Sequence, residues 1–392
     1  MAYLARKEDN MEIGFQSKLP AVGTTIFSVM SALSNECSAV NLSQGFPDFE
    51  MNPVLESFVH EAIKENQVQY APMPGRLDLR QAIVRKMDED YGFSIDPNEE
   101  VTITAGATQA IYTSIATLVQ AGEEVILFDP AYDRYAPTVE VHGGVPVHLE
   151  LKHPTYHIDW DEVNAAITPK TKLIIVNNPH NPCGVVWSER DLTALEEIAK
   201  KYPYIYFMSD EVYEHIRFGS QHISVLSSEI LRARSFVTFS FGKSLHVTGW
   251  KLGYVIAPIG LTREFRKIHQ YLVFCVNNTM QYAITKYLNS GPVWKDVAPL
   301  YKKKRDLFLD GIKQSRFKIL PCQGTYFCLL DYSDISDVDD VAFAKEMTTE
   351  HGVAVIPVSV FYKNKTDHKV IRVCFAKQDQ TLINAAKRLC KI

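Results

Sequence analysis

Long apolar runs are missing from this 392-residue sequence: no uncharged stretch reaches the roughly 20 residues a helix needs to cross a bilayer. No apolar segment follows the charged opening Arg6, Lys7, Glu8 and Asp9, so no secretory leader is expected. A surplus of positive charge is also missing. Lys and Arg number 41 against 46 Asp and Glu, a net charge of −5, which argues against nucleic acid or an anionic membrane as the main partner. The seven cysteines form no CxxC pair, and no Cys/His group has zinc-binding spacing. Reduced thiols, no metal and a cytoplasmic location are therefore expected. GxGxxG and GxxxxGK[ST] are absent as well, leaving dinucleotide and nucleoside-triphosphate binding without support. Repeats, low-complexity tracts and Pro/Ser-rich linkers are not found.

What is present is the composition of an ordinary globular chain, 46% hydrophobic and 22% charged. Its middle alternates short apolar runs with helical patterns, which predicts an α/β fold with a mostly parallel sheet covered by helices. Strands are expected at Val101–Thr104, Glu124–Phe128, Leu173–Val176, Ile205–Ser209, Ser235–Ser240 and Leu252–Ile256, none strictly alternating. Helices are expected at Gln109–Val119 and Glu189–Lys200. Beyond about residue 285 a smaller α/β layer is expected, with strands at Phe317–Leu320, Thr325–Leu330 and Lys369–Phe375 and a helix near Val338–His351. This divides the chain into a large domain, 41–284, and a small one made of 1–40 and 285–392.

Ligands of open α/β sheets gather at the carboxyl ends of the strands, and polar residues cluster there in this sequence. The Gly106-Ala107-Thr108 turn could cradle an anion on a helix N-terminus, or be a tight turn capped by Thr108. Asp210 could face a protonated ring nitrogen, or cap a following helix. Lys243 and Lys251 are rival candidates for an imine-forming amine; Lys243 could instead be a solvated loop lysine, and Lys251 could equally serve a phosphate. Arg372, within an apolar run, needs an anionic partner, which could be a substrate carboxylate or an internal Asp or Glu.

The order of these motifs carries more than any one of them. Gly-Ala-Thr, Asp-Pro-x-Tyr-Asp, Asn-Pro-His-Asn-Pro, Ser-Asp-Glu-Val-Tyr, Ser-Phe-Gly-Lys and Gly-Trp-Lys-Leu-Gly together resemble the fold-type I, class I aminotransferases, which use pyridoxal phosphate. The likeness runs from Lys18-Leu19-Pro20 to the Arg372 segment. Asn41-Leu-Ser-Gln-Gly-Phe-Pro-Asp48 and Gln69-Tyr70-Ala-Pro narrow it to the kynurenine/glutamine/methionine branch. His269-Gln-Tyr-Leu272 and Cys322-Gln-Gly-Thr-Tyr-Phe327 add a resemblance to bacterial methionine aminotransferases.

The resemblance implies that Lys243 carries the cofactor as a Schiff base and then moves the substrate's Cα proton. It implies Asp210 at the ring nitrogen, Tyr213 and Asn181 at the phenolic oxygen, and Tyr132 on the ring face. Ala107, Thr108, Ser240 and Lys251 are implied for the phosphate, with Tyr70 from a neighbouring subunit of a homodimer. Arg372 is implied for the substrate carboxylate, helped by Asn181 and Gly45, while Phe27 and the partner chain's Phe274 border the side-chain pocket. Methionine, with aromatic or other large neutral amino acids, is the implied donor to a 2-oxo acid; cysteine-conjugate β-elimination and kynurenine or glutamine transamination are the alternatives. Thr108 and Cys275 depart from the kynurenine group, which commonly has an aromatic residue and a histidine there. No second arginine is evident for a side-chain carboxylate.

Overall fold

The apolar runs become strands where they are short, branched and bounded by polar or small residues. The computed structural model describes residues 16–219 and 221–392, so the charged opening lies outside the described residues. Strand β1 (Val40–Asn41) is followed by β2 (Val101–Thr104), β3 (Glu124–Asp129), β4 (Val145–Glu150), β5 (Thr171–Asn177), β6 (Tyr206–Asp210), β7 (Ser235–Ser240) and β8 (Gly253–Ile256). Strands β2 to β8 form one sheet in the order β2-β8-β7-β6-β5-β3-β4. Neighbours are parallel except at β8, which runs antiparallel to β2 and β7. The expected α/β architecture with a mostly parallel sheet is what the chain adopts.

Strand β4 was not expected. It is an edge strand whose residues are exposed or half-buried, and it carries Pro146 and His148 among its apolar residues. An edge position tolerates both proline and partial polarity, so the apolar signal that marks central strands is weak there. The central strands are the opposite case. Phe207, Phe236 and Phe239 are fully buried, each contributing about 1.5–3 kcal/mol of transfer free energy. Helix Gly106–Leu118 covers one face, packing on β7 and β8 with Ala110, Ile111, Ser114, Ile115 and Leu118 turned inward at helical spacing.

The later part of the chain supplies β9 (Lys318–Ile319), β10 (Phe327–Asp331), β11 (Val353–Ala354), β12 (Ile356–Pro357) and β13 (Val370–Cys374). Four of these form an antiparallel sheet, β12-β13-β10-β9. Strand β11 pairs instead with β1, in parallel, and Cys374 N–H donates to the Leu42 carbonyl at 2.8 Å. These bonds draw residues 42–45 alongside β13, next to Arg372. The expected helix near 338–351 spans Asp340–Thr349.

Candidate active site

The last residues of four parallel strands are Asp129, Asn177, Asp210 and Ser240. Beside Ser240, on the antiparallel β8, the same edge is occupied by Gly253, which pairs with both Ser240 and Thr104. Above this edge lies an open cavity of about 340 Å³. Of the positions expected at the site, Phe27, Gly45, Ala107, Thr108, Tyr132, Asn181, Asp210, Tyr213, Ser240, Lys243, Lys251 and Arg372 line it. Tyr70 and Phe274 do not. Both are on the surface, 82% and 48% exposed, with their rings 5.4 Å apart and edge-on.

One end of the cavity is built for an anion. Helix Gly106–Leu118 begins without a side-chain cap, so its first amides have no intrahelical acceptor. Thr108 is the third residue of that helix rather than its cap, which corrects the capping alternative. Gly106 has φ +72°, and a Cβ there would meet Lys251 Nζ at 3.3 Å. Only glycine allows both the turn and the close approach of the lysine. Lys251 is exposed to the cavity, with its ammonium pKa lowered by burial and by the nearby Arg134 charge.

Lys243 sits on the other side. Its Nζ donates to Tyr326 Oη at 2.8 Å and lies 5.7 Å from the Tyr213 ring centre. Burial lowers its pKa to about 8, against the pull of Cys374 and Asp210, so losing the proton is easier than for a free lysine. The two lysines that the sequence left as rivals therefore differ in surroundings: one is half-buried among phenols and a carboxylate, the other stands at a helix N-terminus.

Asp210 is buried, and burial raises its pKa to about 6, partly offset by hydrogen bonds from Tyr135 and Val212 and by Lys243. Tyr135 Oη donates to Oδ2 at 2.7 Å. Residues 212–215 form turns rather than a helix, so the helix-capping alternative fails. Glu211 points elsewhere, accepting from Ser209 and Val225 and pairing with His222 at 2.8 Å. Asn177 Nδ2 donates to the Asp210 carbonyl at 2.7 Å, while its Oδ1 accepts from Asn181 N–H, fixing the loop that carries Asn181.

Arg372, on β13, is 2% exposed. Its Nη1 donates to Asn181 Oδ1 at 3.0 Å and its Nη2 to the Ser43 carbonyl at 3.4 Å, while Nε has no partner among the described residues. A guanidinium has only donors, so the Asn181 atom facing it must be oxygen, which leaves the Asn181 NH2 free to donate elsewhere. The Phe327 ring centre lies 3.9 Å from the guanidinium carbon, with Phe27 and Phe361 at 5.2 and 5.3 Å. Among the described residues no Asp or Glu lies within ion-pair distance of Arg372; the internal carboxylate that acts on it is Asp133, in the same cavity and at longer range. Burying an unpaired cation is costly, and a carboxylate entering the cavity would relieve that cost.

Besides Asn177 and Phe327, three further residues at the site were not expected from the sequence. Tyr135 and Tyr326 hydrogen-bond the key acid and amine, and Arg134 lines the cavity with its Nε on Tyr132 Oη at 2.8 Å. Arg134 is thus a second arginine at the site, where none was evident from sequence. Cys275, next to Phe274, is outside the cavity lining.

Residues 38–389 match the model of the family described as aminotransferase class I and II. The chain belongs to this family. This aminotransferase is 47% identical to the methionine aminotransferase of Escherichia coli (strain K12) over 95% of its own length and 97% of that protein. It is 32% identical to the kynurenine–oxoglutarate transaminase of Dictyostelium discoideum, covering 94% of each. Its fold superposes on the crystal structure of an Escherichia coli protein with a methionine aminotransferase function at a TM-score of 0.94, with 46% identity, covering 96% and 99% of the two chains. The aminotransferase uses pyridoxal phosphate, and its substrates are amino acids and 2-oxo acids. The cavity fits that cofactor chemically. It offers an uncapped helix N-terminus with Lys251 and Ser240 for a phosphate, a buried carboxylate for a ring nitrogen, an aromatic ring and a primary amine. Among the described residues no helix is long and apolar enough to cross a membrane.

Proposed function

We propose that this aminotransferase takes its amino group from methionine, and from aromatic and other large neutral amino acids, and delivers it to a 2-oxo acid. The observation that carries this reading is the setting of Arg372. A buried cation with no carboxylate in ion-pair contact is walled by Phe27, Phe327 and Phe361, which suits an α-carboxylate attached to an apolar side chain. The 47% identity to a methionine aminotransferase supports it.

Bound pyridoxal phosphate supplies the carbonyl that captures the amino group and the ring that spreads the charge left at Cα. Lys243 would bind the cofactor and, as a free amine, would take the Cα proton and return it. Asp210 would keep the ring nitrogen protonated, and Tyr213 and Asn181 would serve the phenolic oxygen. Tyr132 would pack on the ring. Ala107, Thr108, Ser240 and Lys251 would hold the phosphate, and Arg372, Asn181 and Gly45 would orient the substrate carboxylate beside Phe27.

The exposed Tyr70 and Phe274 are assigned to the cavity of a second subunit, one reaching its phosphate and the other its side-chain pocket. Exposed aromatic surface of this kind suits burial in a homodimer. Residues 41–284 would form the cofactor-binding domain and 1–40 with 285–392 the small one, in a cytoplasmic enzyme.

The test is a donor scan of the purified enzyme with methionine, phenylalanine, glutamine and kynurenine, following 2-oxo acid formation. Methionine is expected to give the highest kcat/KM. A tenfold preference for glutamine or kynurenine would overturn the donor assignment, and pyruvate with thiol release from cysteine conjugates as the dominant reaction would replace transamination by β-elimination.

A further inference from the structure

Three segments distant in sequence meet at one hydroxyl. Lys243 follows β7, Tyr326 precedes β10, and Gly45 follows β1. Tyr326 Oη donates its proton to the Gly45 carbonyl at 2.6 Å and accepts from Lys243 Nζ at 2.8 Å. The direct approach of Nζ to the same carbonyl is 3.5 Å, at the limit of a hydrogen bond. Tyr326 therefore provides the near contact, with its polarity fixed: its own proton is committed to the carbonyl, so its oxygen is left to accept from the amine.

The tyrosine is locked in place. It is fully buried, and burial lifts its phenol well above the usual range, so it remains protonated. Its ring lies between those of Tyr213 and Tyr301, at centroid distances of 5.2 and 5.7 Å. Thr325, just before it, has φ +62°, a conformation a β-branched residue rarely takes. That backbone is held by the Thr325 N–H to the Ile216 carbonyl at 2.7 Å and by Thr325 Oγ1 accepting from Phe327 N–H at 3.1 Å. Such strain persists only where the surroundings impose it. Here it aims one hydroxyl at one amine.

We infer that Tyr326 is a positioning residue for the working amine, holding Lys243 Nζ against the Gly45 segment that adjoins the carboxylate-binding Arg372. A free lysine side chain has several rotatable bonds and would otherwise sample many positions between proton transfers. With one N–H engaged by Tyr326, the amine of Lys243 keeps a fixed place and its lone pair is left for the cavity. The inference rests on Lys243 being the cofactor-bearing lysine.

The experiment uses Tyr326→Phe, which removes only the hydroxyl, and Tyr326→Met as a second hydroxyl-free filling of the same space. Cofactor-depleted protein is mixed with pyridoxal phosphate across a pH series, and capture is followed by absorbance. Capture requires the neutral amine, so in the parent its rate should rise with pH through a midpoint near 8. The phenol oxygen favours the ammonium over the amine. Its loss should move the midpoint down by about one pH unit, the scale of a charge-assisted hydrogen bond. The other groups facing the amine, Tyr213, Cys374, Asp210, Lys251 and Arg372, are retained in these variants. A packing defect would slow capture without moving the midpoint. Borohydride reduction of each protein then maps the modified lysine. Label on Lys243 with a lowered midpoint supports the role. Label on Lys243 with an unmoved midpoint overturns the inference alone, and label elsewhere overturns the site reading beneath it.

Discussion

Tyr135 ties down one oxygen of Asp210, donating at 2.7 Å, while the carboxylate still lines the cavity. Held this way in a buried setting, with its pKa lifted to about 6, Asp210 is ready to be pulled into its charged form by a cationic N–H. Asp210→Asn should keep the fold and most of the bound cofactor. Turnover should fall about 10- to 100-fold, the equivalent of one charge-assisted hydrogen bond. Cofactor absorbance compared with kcat checks this, and unchanged kcat would remove Asp210 from the mechanism.

Lys243 and Lys251 should separate cleanly under substitution. Lys243→Ala should cost turnover about 10²- to 10⁴-fold, the range for losing a general acid–base group. Lys251→Ala should mainly weaken cofactor retention, seen as a raised cofactor concentration for half-saturation. Peptide mapping after borohydride reduction provides the direct check, since pyridoxyl mass on Lys251 would reverse the assignment.

Arg372→Lys keeps the charge and loses the planar fork. KM for methionine should rise about 10- to 100-fold, with a smaller change in kcat, as one or two charge-assisted bonds to the carboxylate disappear. Steady-state kinetics with methionine distinguishes this from a general loss of activity, which would lower kcat with KM unchanged.

A buried ion pair lies away from the chemistry. Lys86 Nζ lies 2.9 and 2.8 Å from the two oxygens of Glu214, and Tyr91 Oη donates to the second at 3.0 Å. Burial opposes the charge on Glu214, but His215 and Lys86 outweigh it and hold the acid well below the usual carboxylate range. Asp90, Glu214 and His215 cluster closely enough to suggest a cation site, yet the lysine ammonium is already there. Lys86→Met should destabilise the fold by about 3 kcal/mol, because Glu214 is left buried without its lysine, with only His215 and the Tyr91 and Tyr254 hydroxyls beside it. An acid depressed in the folded state contributes stability above its unfolded pKa, and that contribution is lost on acidification. In the variant Glu214 should instead be raised, so the stability gap to the parent should shrink as pH falls through the carboxylate range. Denaturation midpoints measured across pH test both signs, and a pH-independent gap would contradict the pairing.

The fold was legible wherever burial made the apolar signal strong, as in β5 and β7, and illegible at β4, where an edge position admits Pro146 and His148. At the site, residues within strand-end motifs could be found because those motifs lie at one edge of one sheet. Arg134 and Tyr135 directly follow the recognised Asp129–Asp133 segment, but nothing in spacing says which of these neighbouring polar side chains turns inward. Tyr326 was harder still. Its partners, Gly45 and Lys243, are remote in sequence and meet it only once the two sheets are in contact. The unusual backbone of Thr325 that aims it has no compositional mark, since threonine is an improbable residue for that conformation.

Arg372 lies in the middle of β13, opposite Leu329 on β10 and Ile356 on β12. Alternate residues of a strand face opposite sides, so the direction of the guanidinium depends on odd or even position along the strand. Lengthening the 358–369 connection between β12 and β13 leaves that parity intact, whereas one residue inserted within the strand would turn the arginine to the far face of the sheet. That connection is therefore the tolerant place for redesign, and the strand interior is where a single inserted residue would take the Arg372 guanidinium out of the cavity.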